Sequence, residues 1–505
     1  MKNKTNFILF LLLVFLSLVP RSVEILNHNY LFGFDQGRDY LAVQNIVSNH
    51  KFTLIGSEIG AGAAGFKGIF HGPFYYYFLS LPYVLLKGDP YGGMILMFLF
   101  GIATIVFSWY LGKKLFGNTI GLVFGILVAV SPFLVSQARF IWNSHPSSVF
   151  ILISFFFVYK FIRDKKTKYL FFAAFFSGFI YNFELAMAIP MSLALILYSI
   201  LYFKIKNIKG YMFLLFGFFV SFSPMFIFEL KHNLLGTRGI LDYIFNHQDT
   251  AITSKFVEML TKDHLTSFLY NFFGTFPKLD LVPPVMIFSI VFLPLIYYFF
   301  KEKDKILKKF ISYLLLLMVA NLLVFFFLRN NIYNYYLIDL NLAYIIFLSY
   351  SIYSAYKKGH KILIYSLTGF LILVILSALK YNTINFKDDF QDYGGTAKIK
   401  GKIDALDYIY KDSKGEKFNL LVFSPPIYTY PYDYLVTWYG ENKYKYRPYQ
   451  EKKGVYYLLI EKDSSKEWSY KGWLETVIKD GKVLETKTLP SGFIIQKRIE
   501  EKNDI

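Results

Sequence analysis

The segment Phe34-Asp35-Gln36-Gly37-Arg38-Asp39-Tyr40 brings two carboxylates and a guanidinium together just after the first hydrophobic stretch of the chain. A carboxylate can take the proton of an attacking hydroxyl, and an arginine fork can steady a phosphate. The same grouping also occurs as an ordinary solvated loop start beside a membrane span. Its weight depends on what the rest of the chain places around it.

The elements that must position these residues are membrane helices. Of 505 residues, 55% are hydrophobic and 21% aromatic, with 57 Phe and 42 Tyr, more than one soluble core uses. Apolar stretches recur at 6–20, 93–112, 119–135, 147–159, 169–181, 186–203, 211–228, 285–300, 310–328, 335–353 and 362–379. Most approach the roughly 20 residues that cross a bilayer as helix.

The formal net charge of +19 raises nucleic acid as a partner, but the basic residues sit between apolar stretches on alternate sides. Lys2, Lys4, Lys113, Lys114, Arg163–Lys168, Lys204–Lys209, Lys301–Lys309 and Lys357–Lys361 all fall on one side, the positive-inside pattern of a multi-pass cell-membrane protein. This predicts about eleven spans, with the first loop (21–92) and everything after Lys380 outside the cytoplasm. The stretch 73–86, with Pro82 and the cluster Tyr75-Tyr76-Tyr77, reads as a helix in the interface, because a further span would reverse every later loop. The N-terminal run reads as an uncleaved first span, since no small-residue cleavage site follows it. With no cysteine in the chain, disulfides, thiol catalysis and cysteine metal sites are ruled out.

From about Asn382 the composition turns charged and the apolar runs shorten. The chain divides into a transmembrane domain, 1–380, and a soluble α/β domain, 381–505, of roughly 120 residues, enough for a core of its own. Phe418–Phe423, Val455–Ile460 and a last segment near Gly492–Lys497 read as strands, and Lys398–Tyr410 and Tyr432–Tyr439 as helices. The glycine-rich run Ile59–Gly68 lacks the preceding strand and the Gly-Lys-Ser/Thr ending of a phosphate loop, and reads as a mobile loop suited to a lid.

With this topology the polar candidates gather on the outer face: Asp35, Arg38, Asp39, Glu58, His71, Arg139, Asn143, His145, Asn182, Glu184, Arg329 and Asn334 among them. Glu184 opens a run with no further charge until Lys204, and Asp339 lies a few residues inside a span; ionisable groups so placed are functional or paired. The histidines are scattered singly, with no pair at metal-ligand spacing, and no nucleophile elbow is present. No cofactor is expected, although a divalent ion stays compatible with the pattern.

The order of motifs carries a resemblance. An acidic first loop, His71-Gly72-Pro73 before an aromatic helix, Ser131-Pro132 followed by Arg139-Phe140-Ile141-Trp142-Asn143, then Ser223–Asn233 and Asn334-Tyr335-Tyr336, resembles bacterial members of the protein O-mannosyltransferase-like family, glycosyltransferase family 39. The sequence is also similar to the lipid A aminoarabinose transferases, and the likeness covers roughly residues 1–380. It implies a C-type glycosyltransferase fold and a sugar donor carried on polyprenyl phosphate. Asp35 matches the family's catalytic carboxylate in the first outer loop, and Arg38 matches an arginine near the donor phosphate. His71 stands where relatives often carry lysine. Gln36, Asn143 and His145 occupy places where relatives commonly have a second acid.

The expected function is therefore membrane-bound, inverting sugar transfer from a polyprenyl-phosphate donor to an extracytoplasmic protein, lipid or glycan. In that reading Asp35 is the general base, and Arg38, His71, Arg139 and Arg329 attend the donor phosphate. Asp39, Asn143, His145, Glu184 and Tyr335 contact substrate. A transporter or flippase of lipid-linked glycans is the main alternative, but it would favour repeated halves and broken helices around midplane charges, which the sequence does not show. A noncatalytic assembly factor that binds through its tail is a third reading.

Overall fold

The computed structural model describes residues 2–62, 67–203, 208–245, 259–280, 282–326, 328, 331–425, 428–463 and 465–500. Each apolar stretch of the sequence lies on a helix. Six helices among the described residues are long and apolar enough to cross a bilayer: Tyr91–Phe116, Leu185–Tyr202, Ile208–Lys231, Lys305–Phe326, Ile338–Lys358 and Lys361–Gln391. Shorter apolar helices lie beside them, including Asn118–Val130 and Pro284–Phe300. Helix Ile338–Lys358 is the central post, with Leu340, Ala343, Ile345, Phe347 and Tyr350 all buried in a core that spans most of the bundle. Helix Lys361–Gln391 runs unbroken past residue 380.

The segment 73–86 forms a helix, Phe74–Leu85, of 12 residues. At 1.5 Å per residue it reaches about 18 Å, short of a bilayer core. It packs between the helix Phe34–Ser48 and the start of Tyr91–Phe116, with Tyr75, Tyr76 and Leu79 buried.

The tail forms a four-stranded sheet in the order β1-β2-β4-β3, where β1 is Asn419–Phe423, β2 Val455–Ile460, β3 Lys482–Thr488 and β4 Ile494–Ile499. β1 and β2 are parallel and the other pairs antiparallel. β3 leaves no strand signal in the sequence, because every one of its residues is exposed and no buried face imprints an alternation on it.

The tail and the first loop pack against each other at one end of the bundle. The Phe32 amide donates to the Ala397 carbonyl at 3.3 Å and the Ile399 amide to the Tyr30 carbonyl at 2.9 Å. The short helix Tyr430–Leu435 lies on helix Phe34–Ser48, where Gly37 meets it so closely that a β-carbon would stand 2.3 Å from the Pro431 nitrogen. Phe32, Tyr40, Tyr432, Tyr434 and Leu435 share one buried cluster. The tail thus completes a core with the first loop, beyond the small cluster around Tyr456, Leu458 and Ile460 that it keeps to itself.

Candidate active site

The acidic cluster opens a helix, Phe34–Ser48. The Gln36 amide pins its start twice, accepting from the Gly33 amide at 2.9 Å and donating to the Ile141 carbonyl at 2.6 Å. A glutamate in place of Gln36 could not make the second bond without a proton. Gln36 therefore ties the first loop to the segment 139–143.

On this helix Arg38 bridges the two aspartates. Its guanidinium lies 2.8 Å from Asp35 and 2.8 Å from Asp39. Asp35 is more than a third exposed, whereas Asp39 is sealed in and also accepts from the Tyr76 hydroxyl at 3.3 Å. Burial pushes the Asp39 carboxyl up to about 6, against the pull of Arg38. Burial opposes the charge on Arg38 too, but Asp39 and Asp35 more than offset it and hold the guanidinium protonated.

These groups face a cavity of about 250 Å³ lined by Phe34, Asp35, Arg38, Ser57, Glu58, Ile59, Gly60, His71, Trp142, Asn143, Glu184, Tyr335 and Tyr336. Of the residues singled out from sequence, Asp35, Arg38, Glu58, His71, Asn143, Glu184 and Tyr335 meet here. Asn143 donates to the Phe183 carbonyl, fixing the turn that presents Glu184. Glu184 is buried at the foot of helix Leu185–Tyr202, where its carboxylate accepts from the Ala186 amide at 3.3 Å. Burial pushes this carboxyl up to about 8, only partly countered by that amide. Tyr335 tilts against Trp142, their ring centroids 5.1 Å apart.

His71 lines the cavity, but burial and then the Arg38 charge lower its pKa to about 3, so it serves as a neutral imidazole and not as a cation. Among the described residues its Nδ1 has no hydrogen-bond partner. Arg139 is turned away from the cavity, pairing with Glu24 at 2.6 Å and Asp389 at 2.8 Å. Asp39 lies behind Arg38, and His145 spends its Nδ1 on the Phe140 carbonyl at 2.8 Å. Arg329 lies outside the described residues, as do residues 63–66 of the glycine-rich run. Ser57, Trp142 and Tyr336 were not picked from sequence, although Trp142 and Tyr336 sit inside quoted motifs. Among the described residues no group of three or more His, Asp or Glu is placed to hold a metal.

A second, apolar cavity of about 220 Å³ adjoins the first. Ile59, Glu184 and Tyr336 line both, and Ile69, Ile189, Ile240, Val324 and Phe325 extend the second between helices. A polar chamber with a guanidinium therefore lies against an apolar groove, with Ile59, Glu184 and Tyr336 as their common wall. Such a pair of compartments can hold a molecule that is charged at one end and hydrocarbon at the other.

A bundle of apolar helices, a charged helix at its mouth and a small α/β tail roofing that mouth make up the C-type glycosyltransferase fold. The solved structures that match have it: ArnT from Cupriavidus metallidurans bound to undecaprenyl phosphate superposes with a TM-score of 0.57 at 11% identity, over 98% of this chain and 97% of that one. The same protein in its apo state matches with a TM-score of 0.57 at 12% identity, over 98% of each chain. Residues 70–228 match the model of the dolichyl-phosphate-mannose-protein mannosyltransferase family, the resemblance already read from the motif order. No curated protein sequence matches the chain.

Proposed function

We propose that the chain is an integral membrane glycosyltransferase that moves a sugar from a polyprenyl-phosphate donor to an extracytoplasmic acceptor, with inversion at the anomeric carbon. The observation that carries this reading is the shared wall at Glu184, Ile59 and Tyr336. The phosphate and sugar fit the polar chamber, and the polyprenyl chain fits the apolar groove leading from it. The match of the fold to a transferase crystallised with undecaprenyl phosphate supports the same donor class.

Asp35 is the base. It is paired with Arg38, and an arriving donor phosphate competes for that fork, since a guanidinium binds phosphate bidentately. The exchange frees Asp35 to take the acceptor hydroxyl's proton as its oxygen attacks the anomeric carbon. The bond from that carbon to the phosphate oxygen breaks on the opposite face, its electron pair leaves with the phosphate, and the product is inverted. Arg38 stabilises the leaving charge, and Asp39 behind it keeps the fork oriented.

His71, neutral and with a ring nitrogen unpartnered, contributes a hydrogen bond to the phosphate region. Glu184, held protonated, donates to a donor oxygen where an anion would repel it. Asn143 and Tyr335 contact the sugar from the opposite wall, and Arg329 is kept as a further phosphate ligand. Arg139 is reassigned to positioning, because Glu24 and Asp389 already occupy its fork.

The purified protein incubated with labelled undecaprenyl-phosphoryl hexoses and extracted cell-envelope material as the source of acceptor should transfer the label and release undecaprenyl phosphate. Asp35→Asn should slow release by about 100-fold or more while donor binding persists. Unchanged turnover in that variant, or movement of intact donor across a bilayer with no release, would overturn the reading.

A further inference from the structure

The tail carries a cavity of its own, of about 380 Å³, that the reaction described above does not use. Its walls are Tyr432, Asp433, Arg447, Tyr449 and Gln450, over an apolar floor of β1 side chains. Asp433 accepts from the Thr429 hydroxyl at 2.9 Å and from the Gln450 amide at 3.1 Å, which fixes one wall. Tyr449 turns its ring outward, 69% exposed, beside Arg447.

The helix Tyr430–Leu435 has two working faces. Tyr430, Pro431 and Tyr434 lie on helix Phe34–Ser48: Tyr430 packs against Phe34 at 5.2 Å and Tyr434 against Tyr40 at 5.1 Å. Tyr432 and Asp433, on the other side of the same turn, line the tail cavity. This short helix therefore stands between the tail cavity and helix Phe34–Ser48, the helix that carries Asp35. Around its N-terminal end the route is aromatic, with half-exposed Tyr428 stacked on Tyr430 at 5.4 Å and edge-on to Phe34 at 5.5 Å.

We propose that the tail cavity is a carbohydrate subsite and that the acceptor is an oligosaccharide, held in this cavity and led along Tyr428, Tyr430 and Phe34 to Asp35. The inference rests on the glycosyltransferase reading and names its acceptor class. An exposed tyrosine ring offers a flat apolar face to the C–H side of a pyranose, and a carboxylate, a guanidinium and an amide at its edge match the mixed donors and acceptors of sugar hydroxyls. The opposite charges of Asp433 and Arg447 suit a ligand of little net charge. A peptide acceptor fits less well: the outer edge of β1 at this cavity is already bridged, the Leu420 amide donating to the Tyr449 carbonyl at 2.9 Å, so strand addition is blocked there.

The test uses the full chain in nanodiscs over an array of immobilised linear hexose and N-acetylhexosamine oligosaccharides, with unglycosylated serine- and threonine-rich peptides alongside. Retention on at least one oligosaccharide class is expected. Tyr449→Ala, an exposed position whose truncation spares the fold, should lower it tenfold or more, Arg447→Ala and Asp433→Asn should also weaken it, and Asp35→Asn should leave it intact. No retention on any oligosaccharide, retention on the peptides instead, or retention indifferent to Tyr449→Ala and Arg447→Ala would overturn the proposal. Donor turnover, measured separately, tells the two readings apart. Failure of Asp35-dependent release sinks the transferase reading, whereas intact release without oligosaccharide retention sinks only the subsite.

Discussion

Two carboxyl groups near the cavity are held at values far from their solution ones, and each has a distinct cause. Glu184 is raised from 4.5 to about 8 by burial beneath an apolar groove, and Asp39 from 3.8 to about 6 by burial behind Arg38. Across the interval from its ordinary value to its raised one, the folded carboxyl keeps a proton that the unfolded chain releases, so stability falls as pH rises. The neutral histidines work in the opposite sense below 6.5, where His71 and His145, lowered to about 3 and about 4 by burial, cost stability as pH drops. The window from about 6.5 to 8 lies above the values of both histidines and of Asp39 and ends at that of Glu184. The thermal midpoint of the wild-type protein in detergent should decline across that window, and Glu184→Gln should flatten the decline; an identical slope in the variant would contradict the assignment. Affinity for an undecaprenyl phosphodiester should fall over the same interval and become independent of pH in Glu184→Gln.

Helix Phe34–Ser48 does two jobs at once, since one face presents Asp35 and Arg38 to the cavity and Gly37 seats the tail. A β-carbon on Gly37 meets Pro431 backbone, so Gly37→Ala is expected to cost about 1–3 kcal/mol and to loosen the tail. Limited proteolysis should then release a fragment beginning near residue 392 faster than from wild type. The pairing of Arg139 belongs to the same scale, because it joins the short helix Val23–Asn27, the segment after Pro132–Ser136 and the end of Lys361–Gln391. Removing it strands Glu24, which is 7% exposed. Arg139→Ala should therefore destabilise by about 3–5 kcal/mol in thermal or denaturant unfolding while donor affinity, measured below the new midpoint, changes little. A selective loss of donor binding with unchanged stability would return Arg139 to the phosphate.

For the molecule as a whole, the shared core between tail and first loop sets what truncation can do. Phe32 and Tyr40 are fully buried and lie against Tyr434, whose hydroxyl donates to the Gly88 carbonyl. Deleting the tail after helix Lys361–Gln391 uncovers these rings, so the truncated protein should aggregate or melt earlier in detergent as well as lose any acceptor function. A truncated chain with an unchanged midpoint would show that the tail is a separable module. The domain division near residue 380 is therefore a boundary of composition, and the packing crosses it.

By itself the sequence determined the membrane-spanning character, the two buried strands β1 and β2 of the tail and the grouping of Asp35 with Arg38. Each of these leaves a local signature: a run of apolar residues, a β-branched and aromatic hexamer, a motif within seven residues. Only the tertiary structure decided that Asp35 is open while Asp39 is sealed, that Glu184 stands at the join of two cavities, that Arg139 is committed to Glu24 and Asp389, and that the tail roofs the first loop. Those facts depend on residues hundreds of positions apart, and burial, the quantity that sets the chemistry of each charged group, is a property of their packing and not of their spacing along the chain.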